Sequence, residues 1–176
     1  GTRYYWKIIP YNVNGDAADC PIWRFDTMED PTIISFPWTE SFDGTTFPPN
    51  AWTNVKVQGS STGLWIRVTS GSSPACSPQS GDAMAEFNCY SFSTGTQGYL
   101  ASPPFIIPAD GYQFSFWMYR DAGYAGKPYE GVSIWVNDTQ DLVTADSLGH
   151  IARGMDQAPV VTTAGWYQYT FDLPTG

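Results

Sequence analysis

The sequence predicts an all-β protein, a sandwich or jelly roll of short strands, and three observations carry that prediction. Aromatic residues make up 16% of the chain and charged residues only 14%, a balance that suits pleated sheets packed on rings and β-branched side chains. The 17 glycines and 14 prolines interrupt the chain too often for long helices. From Phe36 onward apolar and polar residues alternate with a period of two over short runs separated by Gly/Pro-rich loops, the pattern of half-buried strands.

The elements follow in order. The first 27 residues read as a β-hairpin: Tyr4, Trp6, Ile8 and Pro10 share one face, and Tyr5, Lys7, Ile9 and Tyr11 the other. The Gly/Asn/Asp segment NVNGDAA (12–18) is the turn and IWRF (22–25) the return strand. A lone hairpin is marginal in water, so this one needs further structure to lean on. Residues 28–35 (MEDPTIIS) read as a linker with Pro31 as its breaker. Beyond it strands are expected at 51–57, 64–69, 83–87, 112–120, 132–137, 149–153 and 166–173. The strongest is 112–120, where Tyr112, Phe114, Phe116 and Met118 form an apolar face and Gln113, Ser115, Trp117 and Tyr119 a mixed one.

A net charge of −9 argues against nucleic acid, whose phosphates need a basic stripe. No apolar run approaches the roughly 20 residues that span a bilayer. Acidity of this kind serves solubility, and in a secreted protein also suits calcium, which takes oxygen ligands. Of the cysteines, Cys76 and Cys89 flank a turn and a short strand. A disulfide between them would close a loop of about 14 residues and contribute roughly 3 kcal/mol. Cys20 is then left over. With no C-x-x-C pair and a single histidine, His150, the chain offers no zinc signature.

Two resemblances sharpen this picture. Thr2, Tyr4, Trp6, Ile8, Asn12 and Gly15 resemble the last two strands of a fibronectin type III domain, in a form common in secreted Bacteroidetes proteins. They imply that residues 1–27 are the end of an immunoglobulin-like sandwich. The phrases FPWTESFDGTTFPPNAW (36–52), LWIRV (64–68), PQSGDAMAEF (78–87), GYLASPPFII (98–107), FSFWMY (114–119) and GWYQYTFDLP (165–174) resemble the choice-of-anchor J and cleaved-adhesin group, which is similar to MAM domains. The resemblance covers residues 36–176 and implies a jelly-roll domain without its last strands. It also implies a non-catalytic, extracellular or cell-surface adhesion module that binds glycan or surface protein, flanked by other domains of one polypeptide, with structural calcium. An accessory carbohydrate-binding module of a secreted glycosidase or peptidase, or a structural spacer, are the alternatives.

Glu40 and Asp43 stand three residues apart at a strand end leading into a Gly turn, where carboxylates and turn carbonyls suit calcium; the resemblance points at the Glu40 position, and the alternative is two solvated turn residues. Asp82 and Glu86 are weaker candidates. For sugar binding, planar rings must stack on sugar faces with polar groups beside them. Trp117, Tyr119 and Trp135 lie on the less apolar strand faces, and Tyr124 and Tyr129 sit in the Gly-rich loop DAGYAGKPYEG (121–131). Aromatic loop residues bury much area at little entropic cost; packing beneath loops is the alternative.

Enzyme patterns occur only by coincidence of letters. Residues 59–63 (GSSTG) fit G-x-S-x-G, but that elbow needs a strand before it and a helix after it. Asp146, Ser147 and His150 are close in sequence, whereas the members of a triad come from separate elements. Asn137-Asp138-Thr139 is an N-glycosylation sequon. Asp26-Thr27-Met28 and Asp146-Ser147-Leu148 resemble a Bacteroidetes O-glycosylation pattern, with Thr27 and Ser147 as acceptors.

Overall fold

A computed structural model describes residues 1–123 and 125–174. Its regular structure is β apart from one single-turn 3₁₀ segment at Cys89–Ser91, so the all-β expectation holds. The chain divides into two compact units, Gly1–Pro31 and Thr32–Gly176.

In the first unit β1 (Arg3–Trp6) pairs antiparallel with β4 (Trp23–Asp26). Between them β2 (Tyr11–Asn12) and β3 (Gly15–Asp16) form a tight inner hairpin. Register puts Tyr4 opposite Phe25 and Trp6 opposite Trp23, and both pairs stack, with centroids 5.3 and 4.8 Å apart. Such cross-strand aromatic pairs contribute up to about 1 kcal/mol each. Arg3 closes the open end with a bidentate contact to Asp26. The first strand is shorter than the sequence suggested. Pro10 has no N–H to give a ladder, and its carbonyl instead accepts from Ala17 below the inner turn.

The second unit contains β5 (Thr53–Gln58), β6 (Ile66–Val68), β7 (Gly71–Ser72), β8 (Ala75–Cys76), β9 (Met84–Glu86) and β10 (Gln97–Ala101). It continues with β11 (Gln113–Arg120), β12 (Gly131–Val136), β13 (Asp146–Ala152) and β14 (Gly165–Asp172). Pairing is antiparallel and nested. β7–β8 lies inside β6–β9, which lies inside β5–β10; likewise β12–β13 lies inside β11–β14. β10 and the β7–β8 hairpin were not among the expected strands. Both are Gly-containing and short of the alternation that marks β11.

Ile134 and Ile151 of the β12–β13 ribbon pack against Tyr169 of β14, with Phe116, Met118, Val132, Leu148, Tyr167 and Phe171 around them. Each buried isoleucine contributes roughly 1.5–3 kcal/mol of transfer free energy. The side chains on β11 that join this cluster have the parity of Phe116 and Met118. Continued by two residues, that parity places Arg120 on the same side. Arg120 is fully buried.

Candidate functional site

The parity that turns Phe116 and Met118 toward the core turns Ser115, Trp117 and Tyr119 away from it. The β11–β14 register sets Ser115 opposite Thr170, Trp117 opposite Gln168 and Tyr119 opposite Trp166. Trp117 is 44% exposed, large for a ring in mid-strand, and Ser115, Gln168 and Thr170 are exposed around it. The Gln168 amide donates to the Ser115 hydroxyl at 3.4 Å. Tyr119 and Trp166 meet edge to face at 5.6 Å, and the Trp166 indole N–H donates to the Ser77 carbonyl at 3.0 Å. That end of the stripe is therefore tied to the chain just after β8. The result is an open indole beside an amide and hydroxyls, on a two-stranded antiparallel ribbon.

Trp135 is 48% exposed on β12 and faces Ser147 across the ribbon, after a bulge between Ile134 and Trp135. It lies on a different ribbon from Trp117, and each turns away from the Ile134–Tyr169 cluster. Tyr129 is 94% exposed in the loop before β12. Tyr124 lies outside the described residues.

Glu40 and Asp43 act on backbone amides. A Glu40 carboxylate oxygen accepts from the N–H of Phe42 at 2.7 Å, and Phe42 has a positive φ of 62°. One Asp43 oxygen accepts from the N–H groups of Asp82 (2.6 Å) and Ala83 (3.1 Å). A side chain at Gly81 would run into that carboxylate, which accounts for the glycine. Arg67 completes the staple by donating to the carbonyls of Phe42 and Asp43, both at 2.9 Å. The Asp82 amide, with the Ser41 hydroxyl, holds the Asp43 carboxyl below the usual carboxylate range. Calcium takes six to eight oxygens. Among the described residues no group of three or more acidic, histidine or cysteine side chains converges, and these two carboxylates already receive N–H donors. Asp82 contributes its backbone N–H here, and burial pushes the Glu86 carboxyl up.

In this structure Cys76 and Cys89, the expected pair, are not bonded to each other, and Cys20 is likewise free. Each sulfur is occupied locally: Cys76 packs in the space left by Gly71, its partner in the β7–β8 register, and Cys89 donates to the Phe87 carbonyl. Burial pushes both thiols up.

The Asp146, Ser147 and His150 side chains do not converge. His150 Nδ1 shares a hydrogen bond with Ser133 at 2.9 Å, and its Nε2 lies 3.0 Å from the Pro128 carbonyl. In the G-x-S-x-G segment the pattern serine is Ser61, and the strand β6 rather than a helix follows it. The Asn137 amide of the sequon already donates to Thr139, Asp141 and Val143. Thr27 is exposed, and its hydroxyl is paired with the backbone of Thr2. Ser147 is exposed on β13.

One residue that sequence reasoning passed over organises the loops. The Arg120 guanidinium donates to the carbonyls of Gly154, Pro159, Gln157 (2.8 Å) and Arg153 (3.4 Å), and to the Tyr169 hydroxyl (3.0 Å). Beside it Asp121 pairs with Arg153 at 2.8 Å, and Asp156 accepts from the N–H of Gly126. The loops after β11 and β13 are thus bound to each other. The signal was available: a charged residue at the core-facing parity of the most apolar strand.

Residues 35–176 match the family model described as the Cleaved Adhesin Domain. No curated protein and no solved structure matches the chain. Among the described residues no helix is long and apolar enough to cross a membrane.

Proposed function

Since the chain belongs to the cleaved adhesin domain family, we propose that it is a non-catalytic adhesion module, secreted or held at a cell surface, that grips glycan or surface protein through exposed aromatic side chains. The observation that carries this reading is Trp117, an open indole at the centre of a regular ribbon with an amide directly opposite. A rigid aromatic ring gives much contact area at low entropic cost, and a site on strands holds its geometry better than one on loops. The nesting of β7–β8 within β6–β9 within β5–β10, and of β12–β13 within β11–β14, supports a jelly-roll arrangement for the unit. The aromatic ladder of the first unit supports its reading as the end of a fibronectin type III-like domain in a multidomain protein.

The test is binding of the labelled chain to arrays of glycans and extracellular proteins. Trp117→Ala should lower the signal while the melting temperature holds. A chain that binds nothing on either array would leave the spacer role in its place.

A further inference from the structure

We infer that the outer face of the β11–β14 ribbon is selective for uncharged carbohydrate, a short run of neutral pyranose rings laid over Trp117. This rests on the adhesion reading above and narrows it to one ligand class. Six side chains make the stripe: Ser115, Trp117 and Tyr119 from β11, and Trp166, Gln168 and Thr170 from β14. None carries a charge, in a chain whose net charge is −9. At a rise of about 3.4 Å per residue, the stripe from Ser115 to Tyr119 is roughly 14 Å long.

The chemistry of each position argues against other occupants. The C–H face of a pyranose is apolar and flat, as is the exposed indole, while its hydroxyls both donate and accept. Gln168 offers an amide of both polarities beside the ring, and Ser115 and Thr170 add hydroxyls that reorient to suit. An acidic sugar would bring a carboxylate or sulfate onto a stripe whose six side chains include no cation, and burying an unpaired charge is expensive. The nearest arginine along β11, Arg120, is buried on the opposite side with its donors already engaged. At the other end of the stripe stands Asp172, taking a hydrogen bond from Gln113, which adds repulsion for an anion. A protein partner would want a wider apolar centre than one indole ringed by hydroxyls and an amide.

The experiment is affinity gel electrophoresis of the intact chain in gels holding neutral polysaccharides (xyloglucan, galactomannan, hydroxyethylcellulose) or acidic ones (hyaluronan, heparin, alginate). Retardation is expected in at least one neutral gel and in no acidic gel. It should persist at high salt, because no ion pair is screened. Trp117→Ala should weaken it roughly tenfold or more, as loss of a central aromatic anchor does. Gln168→Ala, at an exposed position, provides a second variant that leaves the fold alone. Trp117-dependent retardation by the acidic polymers would overturn the selectivity while leaving adhesion intact. Retardation by neither set, or retardation that Trp117→Ala and Gln168→Ala leave unchanged, would overturn this site. The adhesion reading itself fails only if the arrays of glycans and extracellular proteins are also blank.

Discussion

Nη1 of Arg120 donates to the hydroxyl of Tyr169 at 3.0 Å, across a cross-strand ribbon and 49 residues of sequence. The contact joins a guanidinium without exposed surface to the ring at the centre of the apolar cluster. It ties the core to the loop that begins at Arg153.

Removing the two partners should have unequal effects. Tyr169→Phe deletes one acceptor and keeps the ring, costing about 1 kcal/mol. Arg120→Met takes a donor from four carbonyls, of which Gly154's keeps the Gln157 N–H, and should cost about 3 kcal/mol or more. Urea unfolding of both variants measures this. Equal losses would show that the carbonyls find water as readily as they found Arg120.

Asp43 predicts a dependence on acid. Its carboxyl is held below the ordinary range, chiefly by the Asp82 N–H. The ionised form therefore stabilises the fold at pH values above the unfolded pKa. That contribution is lost as pH falls through the lower folded value. The melting temperature of the native chain should exceed that of Asp43→Asn at neutral pH, and the gap should close in acid. A gap that widens on acidification would reverse the assignment.

Glu86 should behave the opposite way. Burial raises its folded pKa, so protonation favours the folded state, an advantage that is complete below the unfolded pKa and lost as pH rises through the folded one. Glu86→Gln should melt at or above the native temperature at pH 7, with the two converging in acid. A clear loss at pH 7 would mean the carboxylate makes a favourable contact.

The cysteines and the acidic turn allow two simpler measurements. Thiol titration of the unreduced, denatured chain should return all three thiols; a single thiol would restore the Cys76–Cys89 bridge. Chelation should leave the melting temperature where it was, since Glu40 and Asp43 hold backbone amides. A drop on adding chelator, reversed by calcium, would show a cation shell there.

Much of the fold was legible because period-two alternation is strong where both faces differ. The expected strand at 112–120 and the observed Gln113–Arg120 differ by one residue. The pairing was not legible. Nothing local in GWYQYTFD says that it lies beside β11 rather than beside β13, its predecessor in sequence, and the nested order arises from tertiary contact. The exposed indoles were readable from parity alone, since Trp117 and Trp135 alternate with Phe116 and Ile134. The role of Asp43 was not, because its acceptors' partners, the amides of Asp82 and Ala83, are about forty residues away and carry no side-chain signature. Arg120 was visible as an exception to its strand and was passed over because basic residues at strand ends are usually solvated.

The anchoring of Arg120 has one more consequence. None of its acceptors is an acid: four are peptide carbonyls and the fifth is a phenol. Acidification thus leaves these five contacts in place, although it weakens the Asp121–Arg153 pair beside them just as it weakens the acceptor at Asp43. In a souring medium the carboxylate-held contacts would slacken first, while the guanidinium keeps β11 fastened to Tyr169 and to the loop after β13.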